Sequence, residues 1–361
     1  MKATGQLHDL GQSLWLDDIT RDLLDSGGLQ KLIDELSVTG LTSNPSIFDH
    51  AITHSDKYDN DIRKLRGGAL AAEAVFFELA LADLRRAADL FVPIHRRTLG
   101  VDGWVSLEVS PTLANDTANT VKEAKRLHDK AAKPNLFIKI PGTAEGLPAI
   151  EESIFAGVSV NVTLLFSRAG YLAAADAYMA GLERRIAAGV PPDSSSVASV
   201  FISRWDRAVA EKVPEPLRNR LGVAIGQQVY KAYCDVLASD RWQRLANCGA
   251  RPQRLLFAST GVKDPKAVDT LYVTALAAPN TVNTMPEGTL RAFAEHGAAG
   301  AVLARDGGDC EQVIAAHSRA GIDVDALAAK LQVDGAKAFV DSWQDLLAAI
   351  DSKGSKLRAT G

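Results

Sequence analysis

WVSLEVSPTLANDTANTVKEAKRLHDKAAKPNLFIKIPGT, residues 104–143, holds a complete strand–helix–strand unit. The runs WVSLEV (104–109) and LFIKI (136–140) are short, apolar and rich in β-branched residues, as buried strands should be. Between them Asn115–Asp116–Thr117 supplies helix-cap chemistry. Ala118, Val121, Ala124, Leu127 and Ala131 then recur at helical spacing, and Pro134 closes the helix. A strand followed by a helix and a second strand predicts parallel pairing.

The same alternation recurs along the chain. The other expected strands are SLWLD (13–17), VTGLTS (38–43), VSVNVTL (158–164), VASVFIS (197–203), RLLFAS (254–259) and LYVTAL (271–276). Eight strands with helices between them point to a (β/α)8 TIM barrel. Periodicity alone leaves a doubly wound open sheet as the alternative. Residues 69–91 and 217–248 read as helical, the latter as one helix or two. No Pro/Gly/Ser linker divides the chain, so residues 1–361 are expected to form one barrel domain. Extra helices after about residue 310 are expected to pack outside it.

Composition narrows the function. A chain 47% hydrophobic and 23% charged has enough apolar material for a large core. A formal net charge of −4 offers no global attraction to nucleic acid or membrane. No apolar run approaches the roughly 18 residues of a membrane span, and the first residues lack the apolar core of a signal peptide. Three scattered cysteines fit a reducing, cytoplasmic setting, and seven scattered histidines show no zinc-ligand spacing. No glycine-rich nucleotide fingerprint follows the first strand.

Polar residues interrupt the strands near their C-terminal ends, which in a barrel share one mouth. Lys139 lies between Ile138 and Ile140, inside a run that should be buried. An unpaired buried ammonium is costly and tends to lose its proton, and the neutral amine is a nucleophile toward carbonyls. An edge-strand lysine or half of a buried ion pair is the competing reading. Asp17 and Glu108 are carboxylates in the same kind of setting, able to move protons or to form ion pairs. Asp18 follows Asp17, and strand alternation points only one of the two inward. Asn44 precedes Pro45 and suits either a helix cap or a site. Asn161 and Thr163 share one strand face and need polar partners. Ser199 and Ser203 lie in the sixth run, with Arg204 just beyond it. The loop ASTGVKDP (258–265) offers Ser259 and Lys263 for anion capture.

Taken in order, WLDDITR (15–21), LTSNPSIF (41–48), SLEVSP (106–111), FIKIPGT (137–143), NVTLLFS (161–167), SVFISR (199–204) and FAST followed by a lysine (257–263) resemble the transaldolase family, in its larger bacterial class. The resemblance implies a class I aldolase-type barrel that needs no metal or other cofactor. Its Schiff-base lysine would be Lys139. It implies proton transfer by Asp17, a Glu108 that works with a water, and Asn44, Asn161 and Thr163 holding that water and substrate hydroxyls. Ser199, Phe201 and Arg204 would border substrate and phosphate, and Ser259 with Lys263 would bind phosphate. Three residues separate Ser259 from Lys263, where many members place the basic residue two positions after the serine. The implied reaction moves a dihydroxyacetone unit between sugar phosphates in the non-oxidative pentose phosphate pathway, by a monomer or homodimer.

Overall fold

The structure, a computed structural model, describes residues 2–68 and 70–359, with the side chains of 358 and 359 left out. Eight parallel strands close into a barrel: β1 (Gln12–Asp17), β2 (Val38–Thr42), β3 (Val105–Glu108), β4 (Leu136–Pro141), β5 (Val160–Leu165), β6 (Ser196–Phe201), β7 (Arg254–Ala258) and β8 (Thr281–Met285). Each strand pairs with its sequence neighbours, and β8 returns to β1. The ring closes, which excludes the open doubly wound sheet. Every residue of β2 through β8 is buried, because helices cover the outside while side chains fill the inside.

The connections follow from local chemistry. Side-chain oxygens of Thr20, Asn44, Asp116, Ser167 and Ser239 each accept from the backbone N–H three residues on, starting a helix where the chain turns. The expected helix between β3 and β4 runs Thr117–Ala131 and buries Ala124, Leu127 and Ala131. The stretch 217–248 contains two helices, Leu221–Ala238 and Asp240–Asn247, divided at Ser239.

The expected eighth strand is a correction. LYVTA, 271–275, is a short helix, and β8 is TVNTM, 281–285. A short apolar run suits a buried helix turn as well as a strand, and length alone does not separate them. The true strand reads as polar because Thr281, Asn283 and Thr284 are buried within the barrel wall. Thr260 Oγ1 donates to Asn283 Oδ1 at 2.8 Å, so at least that amide oxygen is satisfied.

The N-terminal end of the barrel is plugged. Arg254 donates to Ser13 Oγ and to the Thr281 carbonyl, both at 2.7 Å, and Asp102 accepts from Trp15 Nε1 and Ser13. Above this, Trp104 stacks on Phe137 with ring centroids 4.0 Å apart. Gly40 faces Trp15 across β1–β2, and a Cβ there would stand 2.5 Å from the indole nitrogen. Gly40→Ala is therefore expected to destabilise the fold by about 1–3 kcal/mol, the usual cost of overpacking a filled core. Urea unfolding of the two proteins measures it; equal midpoints would contradict this packing.

The last helix, Val324–Ala359, is a single rod of 36 residues. It lies outside the strand ring but crosses the C-terminal mouth. Gln332 donates from Nε2 to the carbonyls of Gly142 and Leu164, both at 3.0 Å, just past β4 and at the end of β5. Farther along, Trp343 packs edge-on to Phe76, and Lys353 and Asp351 pair with Asp59 and Arg66. Leu164 stands at φ 60° where β5 shifts register. A left-handed leucine costs about 1–3 kcal/mol and persists only where its surroundings fix it. Here the bond to Gln332 is one such restraint.

Candidate active site

Ten of the expected residues line one cavity at the C-terminal mouth, or touch those that do, because each lies toward the end of a strand or in the loop after it. Asp17, Asn44, Lys139, Thr163, Ser199, Phe201, Arg204 and Ser259 line it, together with Thr42, Ser46, Ala258, Thr284 and Phe339. Glu108 and Asn161 sit just beneath. They flank Lys139 in register, one on each neighbouring strand. Lys139 is only 5% exposed, yet it borders this cavity.

The amine has few partners. Lys139 Nζ donates to the Ser43 carbonyl at 3.0 Å and to Glu108 Oε2 at 3.3 Å. The alternatives left open by the strand pattern are thus combined: the lysine is half of a buried ion pair and also opens onto a cavity. Burial pushes the Glu108 carboxyl above its ordinary range, against the pull of Lys139. A carboxyl held high is a competent acceptor for the ammonium proton.

Asp17, not Asp18, is the residue at the cavity. Its pKa is also raised, first by burial, while Lys139, a hydrogen bond from Thr42 and the charge of Lys263 lower it. Thr42 Oγ1 lies 2.7 Å from Asp17 Oδ1 and 2.7 Å from Thr284 Oγ1. This hydroxyl chain joins β1, β2 and β8 and orients the carboxylate.

Beneath the amine, Ser199 Oγ donates to Asn161 Oδ1 at 2.6 Å, and Asn161 Nδ2 donates to Ser106 Oγ at 3.1 Å. Asn161 is thus held by protein groups on both sides. Thr163 Oγ1 is different: it is buried and has no hydrogen-bond partner among the described residues. A buried hydroxyl of that kind calls for a ligand or water. Asn44 performs both roles that its sequence context allowed, capping the helix Pro45–Thr53 and lining the cavity.

The cationic wall is on the β6–β7 side. Arg204 lines the cavity with its charge carbon 6.0 Å from the Phe201 ring centroid, and burial with nearby Arg207 pushes its pKa down. Ser259 stands at φ 55°, its hydroxyl 2.9 Å from that of Ser203. Lys263 does not line the mouth cavity. It opens onto an adjoining cleft of about 320 Å³ with Arg207, Arg218 and Lys266, beyond Ser203.

Five lining residues escaped the sequence reading, Thr42, Thr284 and Phe339 among them. Thr42 lay inside a quoted motif but looked like ordinary strand filling. Thr284 was hidden by the misplaced eighth strand. Phe339 sits on the C-terminal helix, where nothing local marks it, its ring centroid 5.8 Å from Lys139 Nζ. A larger cavity, about 680 Å³, lies beside Arg168 and the turn 321–325, away from this cluster of buried ionisable groups. The chemistry favours the smaller one. Among the described residues no group of three or more His, Cys, Asp or Glu could hold a metal ion, and no helix is long and apolar enough to cross a membrane.

A profile of the family described as Transaldolase/Fructose-6-phosphate aldolase matches residues 14–350. Among curated proteins, the chain is 44% identical over 353 residues to a transaldolase of Renibacterium salmoninarum, covering 95% of this chain and 94% of that one. It is 45% identical over 351 residues to a transaldolase of Thermobifida fusca, covering 95% of each chain. It is 44% identical over 358 residues to a transaldolase of Thiobacillus denitrificans, covering 97% of this chain and all of the other.

Proposed function

Because the chain belongs to the transaldolase/fructose-6-phosphate aldolase family, whose transaldolase members transfer carbon units between sugar phosphates, we propose that it transfers a dihydroxyacetone unit through a Schiff base on Lys139. The donor is a ketose phosphate such as fructose 6-phosphate or sedoheptulose 7-phosphate. The acceptor is an aldose phosphate, glyceraldehyde 3-phosphate or erythrose 4-phosphate. The observation that carries this reading is the amine itself: buried at the cavity floor, with one carboxyl beside it and a second across the cavity.

Glu108 takes the ammonium proton, and neutral Lys139 attacks the C2 carbonyl of the donor. Glu108, through a water, returns a proton as the carbinolamine loses hydroxide. Asp17 then removes the proton of the C4 hydroxyl and the C3–C4 bond breaks. The electrons flow into the iminium, which serves as the sink that a metal would otherwise provide. An aldose phosphate leaves and a three-carbon enamine stays on Lys139. Addition to an acceptor aldehyde and hydrolysis of the new iminium complete the transfer. The unpartnered Thr163 hydroxyl and the Asn44 side chain suit a polyhydroxylated ligand.

Arg204 and Ser259 fix the remote phosphate, so that its binding energy orients the reacting carbons. Arg204→Ala should then raise KM for phosphorylated donors by roughly 10–100-fold, the loss of a charge-assisted contact, with a smaller effect on kcat. Steady-state kinetics on fructose 6-phosphate checks this, and an unchanged KM would remove Arg204 from the phosphate site.

The test of function is a coupled assay with fructose 6-phosphate and erythrose 4-phosphate in the presence of a chelator. Sedoheptulose 7-phosphate and glyceraldehyde 3-phosphate should form at the chelator-free rate. Failure to form them, or activity lost to the chelator, would overturn the proposal.

A further inference from the structure

The C-terminal helix places an aromatic ring over the amine, and the way it is seated sets the depth of that ring. Gln332, Gly335, Phe339 and Trp343 follow one another at helical spacing along the face pressed to the barrel. Gln332 is tied to the carbonyls after β4 and at the end of β5. Gly335 is buried, and a Cβ there would meet Leu164 Cδ2 at 3.1 Å, so the helix lies close on β5. Trp343 anchors the far side against Phe76 and Phe77, with ring centroids 4.9 and 5.7 Å away. Between these anchors the Phe339 ring lies 5.8 Å from Lys139 Nζ and 6.5 Å from the Phe201 ring, which in turn contacts Phe166 at 5.3 Å. The Phe339 and Phe201 rings thus roof one side of an otherwise polar cavity, with Phe166 packed behind Phe201.

We propose that Phe339 determines whether the three-carbon unit is transferred or released, by keeping water from the carbon that Lys139 carries. This rests on the Schiff-base reading above. The enamine carbon has two fates. It can form a carbon–carbon bond to the acceptor aldehyde, or it can take a proton from water. In the second case water then adds to the iminium carbon, the C–N bond breaks, and free dihydroxyacetone leaves with the amine restored. The proton gained at carbon replaces the one lost from the C4 hydroxyl, and the water lost in forming the iminium is returned. The net result is simple cleavage with no other reactant. An apolar roof disfavours the second fate because it keeps water from the nucleophilic carbon while leaving the acceptor's entry open on the polar side.

The experiment compares wild type, Phe339→Ala and Phe339→Leu. Each is given fructose 6-phosphate in deuterium oxide, with and without erythrose 4-phosphate. Free dihydroxyacetone, its carbon-bound deuterium, and sedoheptulose 7-phosphate are measured. Phe339→Ala should raise the ratio of release to transfer by about tenfold or more, with one deuterium per released molecule, while Phe339→Leu stays near wild type. Equal ratios in all three proteins would overturn the proposal, as would release and transfer falling together in Phe339→Ala. Borohydride reduction of the same samples keeps the two ideas apart. An adduct on Lys139 with unchanged ratios sinks only the role of Phe339, whereas no adduct on Lys139 in wild type sinks the reading beneath it.

Discussion

Lys139→Met is expected to abolish turnover while leaving the barrel folded. The expected loss is on the order of 10⁶ in kcat, the scale on which enzymes lose activity when a nucleophile is removed. Methionine matches the length and apolar stem of the lysine. The concern is Glu108, since breaking a buried ion pair from one side commonly costs about 3–5 kcal/mol by stranding a charge. Here the stranded group has an escape. Burial already pushes the Glu108 carboxyl upward, and removing Lys139 removes the charge that pulls it down, which makes the neutral form easier to reach. The variant should therefore lose less than about 3 kcal/mol. Circular dichroism and urea unfolding measure the fold, and the coupled assay measures the activity. Residual turnover within a hundredfold of wild type would place the nucleophile elsewhere.

Asp17→Asn separates the function of the second carboxyl from its cost. Asn keeps the acceptor for the Thr42 hydroxyl but cannot take the C4 proton. The rate should fall by about 10²–10⁴, the usual contribution of a positioned base. The stalled enzyme should still form its iminium, so borohydride should trap the whole donor sugar on Lys139 and not a three-carbon fragment. Stability moves the other way. The native Asp17 pKa is raised, chiefly by burial, so between the unfolded and native values the folded protein binds more protons. Wild-type stability from this group is therefore full below the unfolded value of about 3.9 and is lost as pH rises through the native one. Asn does not titrate, so the melting temperature of the variant relative to wild type should climb from pH 4 to pH 8. A constant difference would contradict the raised pKa.

The cost of Asp17 and Glu108 explains why so much of the site was legible. Charged and amide groups inside apolar strands are costly unless partnered, so Lys139, Glu108 and Asn161 stand out against neighbours such as Ile138, Ile140 and Val162. Their β-strand alternation also fixed which side chains share a face, as for Asn161 and Thr163. The ring of strands was legible for the same reason wherever the runs were apolar. It failed at β8, where buried threonines and an asparagine imitate a loop and the apolar LYVTA forms a helix turn instead. That single misplacement concealed Thr284, and with it the hydroxyl chain that orients Asp17. Phe339 was beyond reach for another reason. An aromatic on an amphipathic helix reads as core, and only the crossing of that helix over the mouth, fixed by Gln332 and Trp343, turns it toward the amine. Lys263 shows the converse. Its place in the chain suggested the phosphate site, but the loop carries it past Ser203 into the neighbouring cleft.

The most direct measurement is reduction with borohydride in the presence of fructose 6-phosphate, followed by peptide mapping by mass spectrometry. A reduced three-carbon unit on the peptide containing Lys139, absent when sugar or borohydride is omitted, is the predicted result. An adduct on a different lysine, or full transfer activity with no trappable adduct, would contradict it.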